Sequence, residues 1–134
     1  MRSSVCTKAG PNLCPVNSRL ARPTHPPKPV HYQAHSAPLG RVFCTGSQFP
    51  VDYRNHAFTT MHGSWNRREP SGYKVVRLHF ENGKPTRYED FLTGFLVTKN
   101  SLFARLAGAA LHRDGSVLVA DDINGVIYRV SYQP

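Results

Sequence analysis

The sequence predicts an all-β chain of short antiparallel strands, and two observations carry that expectation. Strand-like runs recur at short, even spacing, separated by Asn-Gly and Asp-Gly pairs whose residues tolerate the positive φ angles of tight turns. A sustained helical period is missing: only Ser101 to Leu111 has a helical flavour, and Gly108 inside it argues against a helix.

The elements follow in order. Seven of the 11 prolines (Pro11, Pro15, Pro23, Pro26, Pro27, Pro29 and Pro38) precede residue 40, in a stretch without apolar periodicity. Proline fixes φ and lacks the backbone donor, so residues 1–35 are expected to form an extended, largely disordered arm with the composition of a linker or leader. Residues 36–134 then read as strands. Leu39 to Thr45 and Asn55 to His62 are β-rich, and Tyr73 to Phe80 partly alternates through Val75, Val76, Leu78 and Phe80. Glu81-Asn82-Gly83-Lys84 is a hairpin turn leading to the partner strand, Thr86 to Phe91. Ala109 to His112, a turn at Arg113-Asp114-Gly115, Ser116 to Ala120, a turn at Ile123-Asn124-Gly125 and Val126 to Tyr132 complete the series.

A repeat is visible in this pattern. An apolar strand, a polar turn and a Gly-led strand ending in Arg and an aliphatic residue occur as FTTMHGS…GYKVVRL and again as VLVADDINGVIYRV. One such unit per roughly 40–50 residues is how the blades of a radial β-propeller look in sequence. A closed ring needs at least about four blades. About two are found over residues 36–134, so the expected architecture is an incomplete ring with an apolar face and two strand edges uncovered.

Composition narrows the function classes. A chain of 134 residues allows one ordinary domain, and 40% hydrophobic with 19% charged residues fits neither a fully disordered chain nor a charged helical rod. The formal charge of +9 raises nucleic acid or an anionic surface as a partner. Its distribution weighs against both, because Arg2, Lys8, Arg19, Arg22 and Lys28 in the arm stand without an acid while the remainder mixes both signs. No apolar run approaches the roughly 18 residues of a membrane span, and no standard cleavable signal is expected at the start. Cys6, Cys14 and Cys44 lack zinc-ligand spacing. One disulfide with a thiol left over stands as an alternative to Cys44 as a small buried hydrophobe in its apolar run.

The densest polar cluster is Met61-His62-Gly63-Ser64-Trp65-Asn66-Arg67-Arg68, where a strand gives way to a loop. Loops at blade ends face the channel rim, and guanidinium and amide groups suit carboxylates and carbonyls. The alternative is a hairpin with Trp65 plugged into the core and the arginines solvated. His62 is the best-placed of seven histidines, yet nothing nearby in sequence orients its imidazole or supplies a carboxylate partner, so no catalytic base is assigned. Asp121 and Asp122 point to opposite faces of a strand end, which argues against joint metal chelation and for Asp122 and Asn124 as turn residues; no metal ligand is assigned.

Taken together, AHSAPLGRVFCTGSQFPVDYRNHAFTTMHGSWNRREPSGYKVVRLHFENGKP, YEDFLTGF and DGSVLVADDINGVIYRVSY resemble the C-terminal part of sorbosone-dehydrogenase-like proteins, bacterial members of the pyrroloquinoline-quinone (PQQ)-dependent soluble sugar dehydrogenases. The resemblance covers roughly residues 34–133 and implies part of a six-bladed propeller. It implies PQQ and calcium as cofactors at family level, with no tight quinone binding expected of this chain alone, a sugar or sugar aldehyde as substrate, and a periplasmic setting. By motif position Asn66 and Arg67 resemble residues at the cofactor rim, and Arg105 resembles an arginine before the last blade. Lys74 and Arg77 lie in a strand and are expected on exposed faces. Where the family commonly has Arg-Pro-Val-Gly, this chain has Arg105-Leu106-Ala107-Gly108. The family's catalytic histidine and most calcium ligands belong to blades outside this sequence. The expectation is a C-terminal fragment or truncated homologue of a quinoprotein sugar dehydrogenase, inactive alone. Its rivals are a noncatalytic module that pairs its edges with another chain, and last a basic module for nucleic acid or membrane.

Overall fold

The computed structural model describes residues 30–133, and within them the chain is built from nine β-strands and one turn of 3-10 helix. The strands are β1 (Pro38–Phe43), β2 (Ala57–Met61), β3 (Lys74–Glu81), β4 (Lys84–Leu92), β5 (Leu96–Thr98), β6 (Ser101–Leu102), β7 (Leu106–Leu111), β8 (Val117–Asp121) and β9 (Val126–Val130). The 3-10 turn, Val51–Tyr53, lies between β1 and β2.

Every paired strand is antiparallel to its neighbour. Strands β1 to β4 form one sheet in sequence order, β7 to β9 form another, and β5 with β6 make a small hairpin between them. The turn chemistry explains the hairpins. Asn82 and Gly83 have φ of 51° and 73°, the left-handed pair a two-residue hairpin requires, and Glu81 pairs with Lys84 across it.

The helical flavour of Ser101 to Leu111 does not survive. That stretch holds β6 and β7, because burial of Leu106 against the first sheet and pairing of Ala109 with Val119 outweigh local preference. The short β5–β6 hairpin has no counterpart in the strand series read from the sequence.

The two larger sheets pack face to face. Cys44, Phe49, Phe58 and Val75 from the first half meet Ala104, Leu106, Val117 and Val119 from the second, with Phe58 and Phe91 ring centroids 4.4 Å apart. Cys44 is 1% exposed, and burial pushes its thiol pKa upward. Cys6 and Cys14 lie outside the described residues.

At the seam between the sheets, backbones approach closely. A Cβ on Gly40 would stand 2.6 Å from the Ala109 nitrogen, so β1 can lie against β7 only because that carbon is missing. Thr60, fully buried, fastens the seam: its Oγ1 accepts from the Gly40 N–H at 2.8 Å and lies 3.3 Å from the Ala107 carbonyl, to which it donates.

The far face of the first sheet carries the segment Val30–Ser36. Tyr32 sets its ring against Tyr88 at 4.8 Å, over a face that includes Met61, Val76 and Leu78. Residues 30–35, counted with the arm from the sequence, are strand-free and lie on the sheet, where Val30 and Tyr32 supply apolar anchors. The remainder of the arm, residues 1–29, falls outside the described residues.

Arg77 departs from the expected exposed face. It is 5% exposed, lies 3.7 Å over the Tyr53 ring, and donates to His56 Nδ1 at 3.0 Å and to Glu89 at 3.1 Å. Its Nη2 also meets the Asp52 carbonyl, which locks the 3-10 turn onto the sheet. Lys74 is half-buried and pairs with Asp90 at 2.6 Å.

Candidate functional site

The polar cluster begins where β2 ends. His62 donates its N–H to the Ala37 carbonyl at 2.9 Å, and Gly63 donates to Ser36 at 3.0 Å, so the strand end is pinned to the segment before β1. Gly63 has φ 99°, and a Cβ there would collide with the Tyr73 ring. The following loop is pinched at its base, since Ser64 N–H donates to the Ser71 carbonyl at 2.9 Å and Ser71 N–H donates to Ser64 Oγ at 3.0 Å. The Tyr73 hydroxyl donates to the Ser64 carbonyl beneath it.

This pinch pushes the loop tip outward. Trp65 is 87% exposed, which excludes the buried plug considered from the sequence: the Ser64–Ser71 clasp holds the residues beside it at the surface. Asn66 is exposed on the same tip. Arg67 turns back, donating through Nη1 to the Ala34 carbonyl at 2.9 Å, with Ser71 Oγ at 3.4 Å.

Arg105 enters from the turn before β7. Its Nη2 donates to His62 Nδ1 at 3.0 Å, and its Nε is buried without a partner. On the other side of the ring, His62 Nε2 lies 2.8 Å from Asp122 Oδ2. His62 therefore has both of the orienting partners that its sequence neighbourhood lacked. They come from 43 and 60 residues away, in the segment before β7 and in the turn between β8 and β9.

Asp121 holds that second sheet's end. Its Oδ1 accepts from the backbone of Arg105 at 3.2 Å and of Ile123 at 3.0 Å, and its Oδ2 accepts from Asn124 Nδ2 at 2.6 Å and Tyr128 OH at 3.0 Å. Burial works to raise its pKa, but these donors outweigh burial and hold the carboxyl below the usual carboxylate range. The turn is thus fastened by Asp121 with Asn124, and the sequence expectation of Asp122 in that role is corrected: Asp122 points outward to His62. The opposite-face reading of the two aspartates is met, with Asp121 3% exposed and the Asp122 side chain 49% exposed.

Of the three residues named from the sequence, the structure brings Arg105 to His62 and Asp122, places Asn66 on the exposed tip, and ties Arg67 to the segment before β1. Sequence reasoning missed Asp122 as a site residue; its signal was the doubled Asp-Asp before the Asn-Gly turn. Chemically, Arg105 is suited to an anion. It is held by a ring nitrogen of His62 and forms no ion pair with a carboxylate among the described residues, so its charge is available. No group of three or more His, Cys, Asp or Glu among the described residues is arranged to hold a metal ion. No helix among them is long and apolar enough to cross a membrane.

Comparison with known proteins adds context to this geometry. The family model described as TrAA12-like matches residues 14–133. An uncharacterized protein of Borreliella burgdorferi is 40% identical over 124 residues, covering 91% of this chain and 31% of that protein. Among solved structures, the holo PQQ domain of pyranose dehydrogenase from Coprinopsis cinerea aligns with a TM-score of 0.58 and 25% identity, over 73% of this chain and 27% of its own. A calcium structure of the Trichoderma reesei Carbohydrate-Active Enzymes Family AA12 protein aligns with a TM-score of 0.58 and 27% identity, over 72% of this chain and 24% of its own. The chain spans about a third of the curated relative (31%) and about a quarter of the solved chains (27% and 24%).

Proposed function

The chain belongs to the TrAA12-like family, and from that membership we propose that it is the C-terminal part of a PQQ-dependent sugar dehydrogenase and supplies residues at the rim of the cofactor site. The whole enzyme in this reading oxidises a sugar C1 hydroxyl or a sugar aldehyde, in the manner of the sorbosone-dehydrogenase-like proteins. The observation that carries it is the Arg105 guanidinium, held by His62 at 3.0 Å with no carboxylate on it.

The residues fit the anionic side of the cofactor. PQQ carries three carboxylates and adjacent quinone carbonyls, and an arginine without an ion-pair partner binds such oxygens by charge-assisted hydrogen bonds. The unpartnered, buried Nε of Arg105 is consistent with a donor awaiting an acceptor. In this reading Arg105 grips a carboxylate or carbonyl, His62 orients it, and Asn66 offers an amide from the exposed tip. Arg67 contributes by fastening the base of that loop. When bound, the quinone supplies the hydride acceptor. Calcium belongs to the family-level reading and receives no ligand set from the described residues.

The reading also holds that the chain is inactive by itself. Its support is the outer face of the β7–β9 sheet, where Gly108, Ala110, Leu118, Ala120 and Ile127 line an open apolar cleft of about 230 Å³. In the propeller view the two larger sheets are two blades of six, and this face and the β9 edge belong against further blades. The purified chain is expected to show no oxidation of an aldose or sorbosone with PQQ, calcium and an artificial electron acceptor. Turnover by the chain alone overturns this.

The same apolar face favours a second reading, a noncatalytic module that docks on another chain. Mass measurement in solution separates the two. The second requires a stable oligomer or hetero-complex whether or not PQQ is present.

A further inference from the structure

We propose that Asp122 is a positioning residue: by fixing the tautomer of His62 it sets the Arg105 guanidinium in place. Its functional meaning rests on the reading of Arg105 as a cofactor-rim residue, whereas the positioning itself rests on geometry alone.

Three groups stand in a row, and their hydrogen-bonding capacities admit one arrangement. The Asp122 carboxylate lies 2.8 Å from His62 Nε2, and an ionised carboxylate only accepts, so the imidazole proton must sit on Nε2. Neutral imidazole has one donor and one acceptor, which leaves the Nδ1 lone pair facing outward. Arg105 Nη2 stands 3.0 Å from that lone pair, and a guanidinium only donates. With the proton moved to Nδ1, two donors would face each other at the arginine and a lone pair would face the carboxylate. Both contacts would then repel.

The backbone reinforces the row. The Asp122 N–H donates to the Arg105 carbonyl at 3.1 Å, so the turns before β7 and after β8 are tied and carry the two residues together. Asp121 takes only the backbone N–H of Arg105. The Arg105 side chain has its hydrogen bond to His62 Nδ1 and a buried Nε without a partner, so its placement depends on the imidazole. Had a carboxylate gripped Arg105 directly, its charge would be neutralised. Placing His62 between them orients the guanidinium and leaves the charge for an external anion.

The diagnostic substitution is Asp122→Asn. It keeps size and the backbone bond, at a side chain already 49% exposed, but the amide can donate to Nε2 and so admits the Nδ1–H tautomer. Long-range nitrogen–proton correlation spectra of the full chain read the His62 tautomer and the order of the Arg105 guanidinium. The wild type is expected to show Nε2–H alone. In Asp122→Asn the Nδ1–H form is expected to appear and the Arg105 Nη signal to broaden, with the strand signals unchanged. A wild type carrying Nδ1–H or a mixture overturns the proposal, whatever the variant's folding. So does a folded Asp122→Asn protein in which both His62 and Arg105 are unaltered. Titration with PQQ separates this inference from the reading it rests on. Whatever binding the wild type shows is expected to weaken about tenfold in Asp122→Asn, the size of one charge-assisted hydrogen bond. A wild type with the expected tautomer supports the positioning role whether or not the chain alone binds PQQ, and PQQ binding that Asp122→Asn leaves unchanged removes the cofactor-rim reading of Arg105.

Discussion

Replacing Asp121 by Ala should be among the most damaging single changes in the second sheet, because this carboxylate collects donors from three directions. Two of them, the Arg105 backbone N–H at 3.2 Å and the Tyr128 hydroxyl at 3.0 Å, belong to half-buried residues and would lose their acceptor. Each orphaned donor costs about 1–3 kcal/mol. The Ile123 N–H and the Asn124 amide lie on an exposed turn and recover water, so they add less. The total expected is about 3–5 kcal/mol, a large share of the roughly 5–15 kcal/mol that holds a domain together.

Urea denaturation of the wild type and Asp121→Ala, followed by fluorescence, reads this as a lower midpoint at unchanged slope. A loss under about 1 kcal/mol would refute the reasoning, since it would mean that the donors find other partners. The acid limb gives an independent check. The Asp121 pKa is lowered in the folded chain, so the unfolded state binds more protons and stability rises with pH through this range. The contribution is fully present above the unfolded carboxylate value of about 3.9 and is lost as pH falls through the lower folded value. The gap between wild type and variant should therefore narrow below about pH 4.

Two further outcomes follow from the packing. Gly40→Ala forces a Cβ to within 2.6 Å of the Ala109 nitrogen and 2.8 Å of the Gly108 carbonyl carbon, where only backbone can yield. It should cost about 1–3 kcal/mol by thermal unfolding, and an unchanged midpoint would show that the seam between β1 and β7 is looser than described. His56 is held below its ordinary pKa by burial first and by Arg77 second, so the unfolded chain binds its proton more readily. Stability should be full above the unfolded histidine value of about 6.5 and decline as pH drops through it toward the folded value; His56→Gln should flatten the curve across that window.

Much of the architecture was legible because its signals are local. The Asn82-Gly83 hairpin follows from residues that accept positive φ, and the strands on either side follow from apolar runs next to it. The β5–β6 hairpin was not legible, since three-residue and two-residue strands leave too little pattern. For Arg77, alternation along the strand suggested an exposed cation. Tyr53, His56 and Asp52, all brought in by the chain before β2, turned it into a buried one.

The amino-acid order by itself determined the all-β character, the turns, and the presence of a loop with two arginines and one amide at Trp65 to Arg68, because each depends on residues within a few positions of one another. Folding alone decided which of those groups meet. His62 received its acceptor-only partner from 60 residues downstream and its donor from 43 residues downstream, and Asp121 rather than Asp122 became the turn's fastener. Such choices depend on how two sheets seat against each other across Gly40 and Thr60, and no local pattern encodes a distance between segments that far apart along the chain.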